Sequence, residues 1–169
     1  MSRFSVHPFR RATTADLPAL AALYRDAVHT LGPLAYTPAQ VAAWAATADE
    51  PRFEAFVLGP ETLIVEDETG PIGFAGWRPD GHVASLYVRP DRTRQGLGLR
   101  LLTAVIESAQ AAGVTRLHSE ASVFSRPVFE RAGFLVTGTE DIERRGATFT
   151  RYLVALDLNP SPAIPPRPS

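Results

Sequence analysis

The sequence contains no cysteine. That removes disulfides, thiolate-ligated zinc, iron–sulfur clusters and every thiol nucleophile from consideration. Lysine is missing as well, because all 17 basic residues are arginine. A Walker-type phosphate loop needs a lysine to reach the nucleotide phosphates, and a Schiff-base or pyridoxal-phosphate enzyme needs one to form its imine, so both are excluded. Charge of either sign is not in surplus: the net is −1, which argues against a general nucleic-acid binder. No apolar run approaches the length of a membrane-spanning helix, and the opening Met1-Ser2-Arg3-Phe4 shows no signal-peptide h-region, so the expected location is the cytoplasm. The chemistry left to the chain uses carboxylates, hydroxyls, imidazoles, guanidiniums, backbone groups or a bound cofactor.

What is present is an ordinary globular composition, 45% apolar and 21% charged over 169 residues, enough for one domain with a core that needs no staple. Residues 1–158 read as that domain, and the proline-rich stretch Asn159 to Ser169 reads as an extended or disordered tail. A short strand Phe9 to Ala12 precedes a helix that starts at Thr13-Thr14-Ala15-Asp16 and runs to about His29, with Leu20, Leu23, Tyr24, Ala27 and Val28 at helical spacing. Thr37-Pro38 starts a second helix with Trp44 on one face. Three strand-like runs follow, Thr62–Glu66, Pro71–Trp77 and His82–Val88, joined by Asp67-Glu68-Thr69-Gly70 and Pro79-Asp80-Gly81 as hairpin turns. A helix to about Ala112, a strand Thr115–Ser122, a short helix Ser125–Ala132 and strands Phe134–Thr139 and Thr148–Leu158 complete the order.

The segment that carries chemistry is Arg94-Gln95-Gly96-Leu97-Gly98, between a strand and a helix. Two glycines there allow a tight turn and gather amide N–H groups at a helix N-terminus, which favours phosphate. A dinucleotide fingerprint would place a third glycine where Leu101 stands. The stretch Leu86 to Leu102 resembles the acetyl-CoA loop of the GCN5-related N-acetyltransferases, and Phe129-Glu130-Arg131-Ala132-Gly133-Phe134 resembles the short last helix of that family. Tyr36 to Trp44, Glu120-Ala121-Ser122 and Arg126-Pro127-Val128-Phe129 are most similar to its YafP-type acetyltransferases.

The resemblance implies an α/β (α+β) fold: a mixed, mostly antiparallel twisted sheet, splayed between the strands ending at Val88 and Ser122, with about four flanking helices. It implies acetyl-CoA in the splay, with its pantetheine along Leu86, Tyr87 and Val88. The pyrophosphate would lie on the amides from Arg94 through Gln95, Gly96, Leu97 and Gly98 to Leu99, with Arg131 or Arg92 at the adenosine end. Ser122, Ser125 and Phe129 fall on the same cofactor side. Three positions depart from the family pattern. Thr93 stands for its usual Arg or Gln, Ser122 for a frequent Asn, and Phe129 for a tyrosine that serves as general acid. A thiol leaving group has a pKa of about 8.5, so an acid is helpful rather than obligatory.

The implied reaction is direct transfer of acetyl from acetyl-CoA to an amine of a small molecule or peptide. The alternative is a weak or inactive acyl-CoA-binding module. Glu120, near the end of the strand bordering the splay, is the candidate base: a partly buried carboxylate near neutrality takes a proton from the amine directly or through one water. Tyr87 is a candidate acid, relay or wall, and Tyr36, Trp44 and Trp77 are candidates for an aromatic wall around the acceptor. His82 and His118 read as surface or core residues, Glu66-Asp67-Glu68 as a solvated hairpin tip, and no acid or histidine spacing points to a metal. The partners expected are acetyl-CoA and an amine, with no nucleic acid and no membrane; a homodimer is left open.

Overall fold

The computed structural model describes residues 8–158; the opening residues and the proline-rich tail lie outside the described residues. Two antiparallel sheets carry the fold. Strands β1 (Phe9–Arg11), β2 (Glu61–Asp67), β3 (Gly70–Trp77) and β4 (Val83–Val88) form the first in sequence order, and β5 (Arg116–Ala121), β7 (Ala147–Asp157) and β6 (Leu135–Arg144) form the second in that spatial order. The sheets meet where a parallel bridge pairs His82 with His118 and the His118 N–H donates to Gly81 O at 3.0 Å. Ser119 Oγ adds a bond to Val83 O at 2.7 Å. Beyond these contacts β4 and β5 do not pair, so the expected splay is present.

Among the described residues five α-helices cover the sheets: α1 (Leu17–Leu31), α2 (Pro38–Ala45), α3 (Phe53–Leu58), α4 (Leu97–Ala111) and α5 (Arg126–Arg131). The sequence reading anticipates about four and omits α3, whose six residues are too few to display a helical period. Thr37 caps α2 in a reciprocal box: its hydroxyl accepts from Gln40 N at 3.2 Å, and the Gln40 side chain accepts from Thr37 N at 2.9 Å. Ahead of α1, the Asp16 carboxylate accepts from Thr13 N and takes both ends of the Arg10 guanidinium at 2.7 and 2.8 Å. That charge-assisted pair holds the Asp16 carboxyl down at about 2.

Each sheet face buries its own set of residues. On one side α4 and α5 pack Leu101, Leu102, Val105 and Phe129 against Ile72, Ala75, Trp77 and Leu117. On the other, α1 to α3 pack Leu20, Tyr24, Val28, Phe53 and Val57 against Ile64 and Phe74. Full burial of each large side chain supplies roughly 1.5–3 kcal/mol. From Gly73 onward, strand parity decides which residues of β3 go where. Ala75 and Trp77 face α4, whereas Phe74 and Gly76 face the α1–α3 layer.

Trp77 is therefore a core residue, 4% exposed, and not part of the acceptor wall for which the sequence makes it a candidate. The hairpin tip also differs from expectation. Asp67 lies beneath Arg92 with its side chain nearly buried, and Glu66 pairs with Arg10, so only Glu68 of the three acids fits a solvated tip.

Candidate active site

A cavity of about 890 Å³ occupies the splay and extends from the loop before α4 to the aromatic residues of α1 and α2. Its cofactor end is built by backbone. Arg94 has φ +64° and Gly96, the residue before α4, has φ +75°, so the chain turns left-handed twice just before the helix. The first backbone bond of α4 runs from Arg100 N to Gly96 O at 3.0 Å. The N–H groups of Arg94 through Leu99 consequently donate to nothing in the described residues, and the helix dipole adds positive potential at the same point. Arg94, Gly96, Leu97, Gly98, Leu99 and Arg131 line the cavity, whereas Gln95 is exposed and does not. The Leu97 side chain points into the core, which leaves its amide as the group on offer.

The open edge of β4 continues this surface. Arg89 N–H donates to Ile72 O at 2.8 Å, so alternation directs the Tyr87 N–H toward β3 and those of Leu86 and Val88 into the gap. Across the gap, the Ser122 hydroxyl accepts from the N–H groups of Phe124 at 3.2 Å and Ser125 at 3.1 Å, and the Ser125 hydroxyl accepts from Ser122 N at 3.0 Å. These two serines close the turn into α5. Phe129 is 2% exposed and meets Phe134 edge to face at 5.0 Å between ring centres; it forms part of the cavity floor with no hydroxyl.

At the other end, Glu120 and His82 come together from positions 38 residues apart, with His82 Nε2 2.7 Å from Glu120 Oε2. His82 also stacks on His118 at 5.3 Å. The hydrogen bond from His82 holds the half-buried Glu120 carboxyl below the usual carboxylate range, against the opposing effect of desolvation. The expectation of a carboxyl near neutrality is thus corrected: the Glu120 carboxyl is held below the ordinary carboxylate range and is ionised near neutral pH. The sequence alone reads His82 as a surface or core residue, because its place at a turn gives no sign of the contact.

Tyr87 packs on Phe74 at 5.4 Å and on Tyr24 at 4.6 Å, and its hydroxyl accepts from Trp44 Nε1 at 3.3 Å. Burial raises its pKa above the ordinary phenol value, so near neutrality it serves as a proton donor or wall and not as a base. Tyr36 meets Trp44, Phe124 and Phe149 edge to face. Tyr36, Trp44 and Tyr87 therefore do form one aromatic side of the cavity. Ser85, which the sequence does not single out, also lines it; its hydroxyl is buried and has no partner among the described residues. Among the described residues no three metal-ligating side chains converge, and no helix is long and apolar enough to cross a membrane.

Comparison with known proteins places this geometry. Residues 34–156 match the family model described as the acetyltransferase (GNAT) domain. The chain is similar to the uncharacterized N-acetyltransferase YafP of Escherichia coli K12, with 31% identity over 143 residues, 85% of this chain and 91% of the relative. It is also similar to the L-methionine sulfoximine/L-methionine sulfone acetyltransferase of Pseudomonas aeruginosa PAO1, with 33% identity over 174 residues, 92% of this chain and 97% of that protein. Among solved structures, a GCN5-related N-acetyltransferase from Rhodopseudomonas palustris superposes with a TM-score of 0.85 at 28% identity, covering 90% of this chain and 96% of that one.

Proposed function

This chain belongs to the GCN5-related N-acetyltransferase family, and we propose that it transfers the acetyl group of acetyl-CoA to the amine of a small molecule inside the splay between β4 and β5. The observation that carries this reading is one continuous cavity with unpaired amides at one end and a carboxylate–imidazole pair at the other. The cofactor end fits a pyrophosphate: six N–H groups are unused, Gly96 and Gly98 present no side chain, and the guanidiniums of Arg94 and Arg131 have no acid beside them. The relative named for L-methionine sulfoximine supports a small-molecule acceptor over a protein. A cytoplasmic place of work follows from the thioester it consumes.

Bound acetyl-CoA supplies an activated thioester; the chain supplies position and proton transfer. The loop amides from Arg94 to Leu99 fix the phosphate end, and the β4 edge at Leu86 and Val88 aligns the pantetheine arm, so that much of the acceleration is geometric. A free N–H on that edge polarises the thioester carbonyl. An incoming ammonium must lose a proton before it attacks, and Glu120 takes it directly or through water, with His82 alongside to share the charge. The nearest phenol, Tyr87, is protonated and able to donate toward the departing sulfur.

Acetyl-CoA should stabilise the folded chain, and the reaction should release a thiol that a disulfide dye reads with no background from the cysteine-free protein. Glu120→Gln keeps shape and hydrogen-bonding reach and loses the base. Its single-turnover rate should fall ~10²-fold near neutral pH, with the deficit shrinking as rising pH deprotonates the free amine. A pH–rate profile superimposable on that of the parent enzyme would return Glu120 to a structural role.

A further inference from the structure

The cavity is far more basic than the chain. Seven arginines and one carboxylate, Glu120, line it, although the whole sequence carries 17 basic and 18 acidic residues. Three of the seven are matched by acids: Arg92 by Asp67, Arg52 by Glu50 and Arg151 by Glu140. The other four, Arg78, Arg94, Arg131 and Arg144, have no hydrogen-bond or ion-pair partner for their side chains among the described residues. Every other described arginine has a partner, so the unpaired guanidiniums are all gathered at this one cavity.

They divide into two groups. Arg94 and Arg131 belong to the loop and α5, at the end assigned to phosphate. Arg78 and Arg144 are on the acceptor side, where phosphates have no reason to reach. Arg78 follows β3, its guanidinium about 3.3 Å from where a Cβ at Gly59 would stand. Arg144 ends β6, and register places it on the sheet face that Arg151, Leu153 and Glu120 share. It lines the cavity together with Tyr24, Tyr36 and Tyr87 of the aromatic wall. A cavity walled in this way repels a polyamine or a lysine-rich peptide and attracts a molecule that brings its own anion.

We propose that Arg78 and Arg144 form an anion subsite for a carboxylate of the acceptor, so that the substrate is an α-amino acid with an uncharged side chain. The ammonium then faces Glu120, the only carboxylate among the described residues that line the cavity, and the side chain faces Tyr36 and Phe149. This deepens the acetyl-transfer reading and rests on it.

The test follows thiol release on free L-amino acids, their C-terminal amides, short peptides with free N-termini, and the corresponding decarboxylated amines. The expected result is that at least one free acid exceeds its amide by ~10²-fold or more in kcat/KM, because a site built for a hydrogen-bonded group rejects the analogue lacking it. Arg144→Gln and Arg78→Gln should raise KM for the acid more than they lower kcat and compress the acid-to-amide ratio about tenfold or more, with Arg144→Lys restoring part of it. Amides, peptides or simple amines that turn over as well as the acids would overturn the proposal, as would arginine variants that affect acid and amide equally. If no amine in the panel turns over, calorimetric titration of the CoA-loaded protein with N-acetylated amino acids and their amides decides it, and binding that ignores the carboxylate overturns it. A chain that acetyl-CoA does not stabilise would instead defeat the acetyl-transfer reading itself.

Discussion

Gly96 and Gly98 stand two residues apart in the loop, yet a methyl group at each should have opposite effects on the empty protein. Gly96 has φ +75° and open space around its missing Cβ, so Gly96→Ala meets no clash but forces an L-residue into the left-handed region, a cost of about 1–2 kcal/mol. Gly98 lies inside the first turn of α4 with an ordinary helical backbone, and a Cβ there would sit 3.5 Å from Val128 Cγ1 and 3.9 Å from Val88 Cγ2, which is normal packing. Gly98→Ala should therefore gain roughly 0.5–1 kcal/mol from helix propensity. For a domain of this size each kcal/mol moves Tm by about 2–4 °C. The empty Gly98→Ala protein should melt about 1–4 °C higher than the parent, and Gly96→Ala about 2–8 °C lower. Acetyl-CoA at a hundredfold excess over Kd should stabilise the parent by about 2.7 kcal/mol, or roughly 5–10 °C. Both variants should lose most of that increment: the methyl group added at Gly98 projects between two cavity-lining valines beside the phosphate amides, and strain at Gly96 moves the amides themselves. Melting curves with and without acetyl-CoA read all four quantities. A Gly98→Ala protein that keeps the full acetyl-CoA increment would refute the assignment of this loop to the cofactor.

Ser85→Ala removes a buried hydroxyl that has no partner among the described residues, so the empty protein should gain about 1 kcal/mol; an unchanged or lowered Tm would contradict this. Phe129→Tyr should leave turnover unchanged or raise it, because no acid operates from that helix now, and a large loss with intact acetyl-CoA stabilisation would show that the position has been misread. Asp16 has its carboxyl lowered from 3.8 to about 2 by Arg10, a shift equivalent to about 2 kcal/mol in a side chain that is almost buried. A depressed acid stabilises above its unfolded pKa, so Asp16→Asn should lose about that amount at pH 7, and the difference from the parent should close as pH falls through about 2.

The cofactor end is legible in sequence because its chemistry is local. Two glycines, a preceding strand and a following helix with Leu101, Leu102 and Val105 at helical spacing define it within about twenty residues. The Thr37-Pro38 start of α2 and the meander of β2, β3 and β4 are legible for the same reason. β6 extends to Arg144, well beyond the Thr139 read from sequence, because Glu140, Asp141, Glu143 and Arg144 are polar and the strand is held by pairing with β7 through Arg144↔Ala147. The turn that closes the hairpin uses positive φ at Arg145 and Gly146, and only the glycine announces it. The acceptor end depends on contacts that no local pattern encodes. The regular register puts Ser85 beside Gly76, and a register shift between Gly76 and Trp77 then sets Val83, not Ala84, opposite Trp77, so that Trp77 and Val83 both enter the core. His82 reaches Glu120 only because the two sheets touch at His82 and His118.

The absence of lysine acquires a consequence at this end of the cavity. A lysine ammonium desolvated beside other cations readily loses its proton, which would make the charge of the wall depend on pH. A guanidinium stays charged at any pH the fold survives. Arg78 and Arg144 therefore present a constant potential across the working range, and the acceptor amine is the group at this end that must lose a proton for the reaction to proceed. That constant positive field also works against protonation of the amine and assists loss of its proton to Glu120. Neutralising one arginine should then do more than weaken carboxylate binding: it should move the alkaline rise of the pH–rate profile for a free amino acid to higher pH. The amine would hold its proton more tightly as the surrounding charge falls. Arg144→Gln profiles measured at saturating amino acid isolate this effect from binding. An unshifted alkaline limb would show that the arginines recognise the acceptor without tuning its amine.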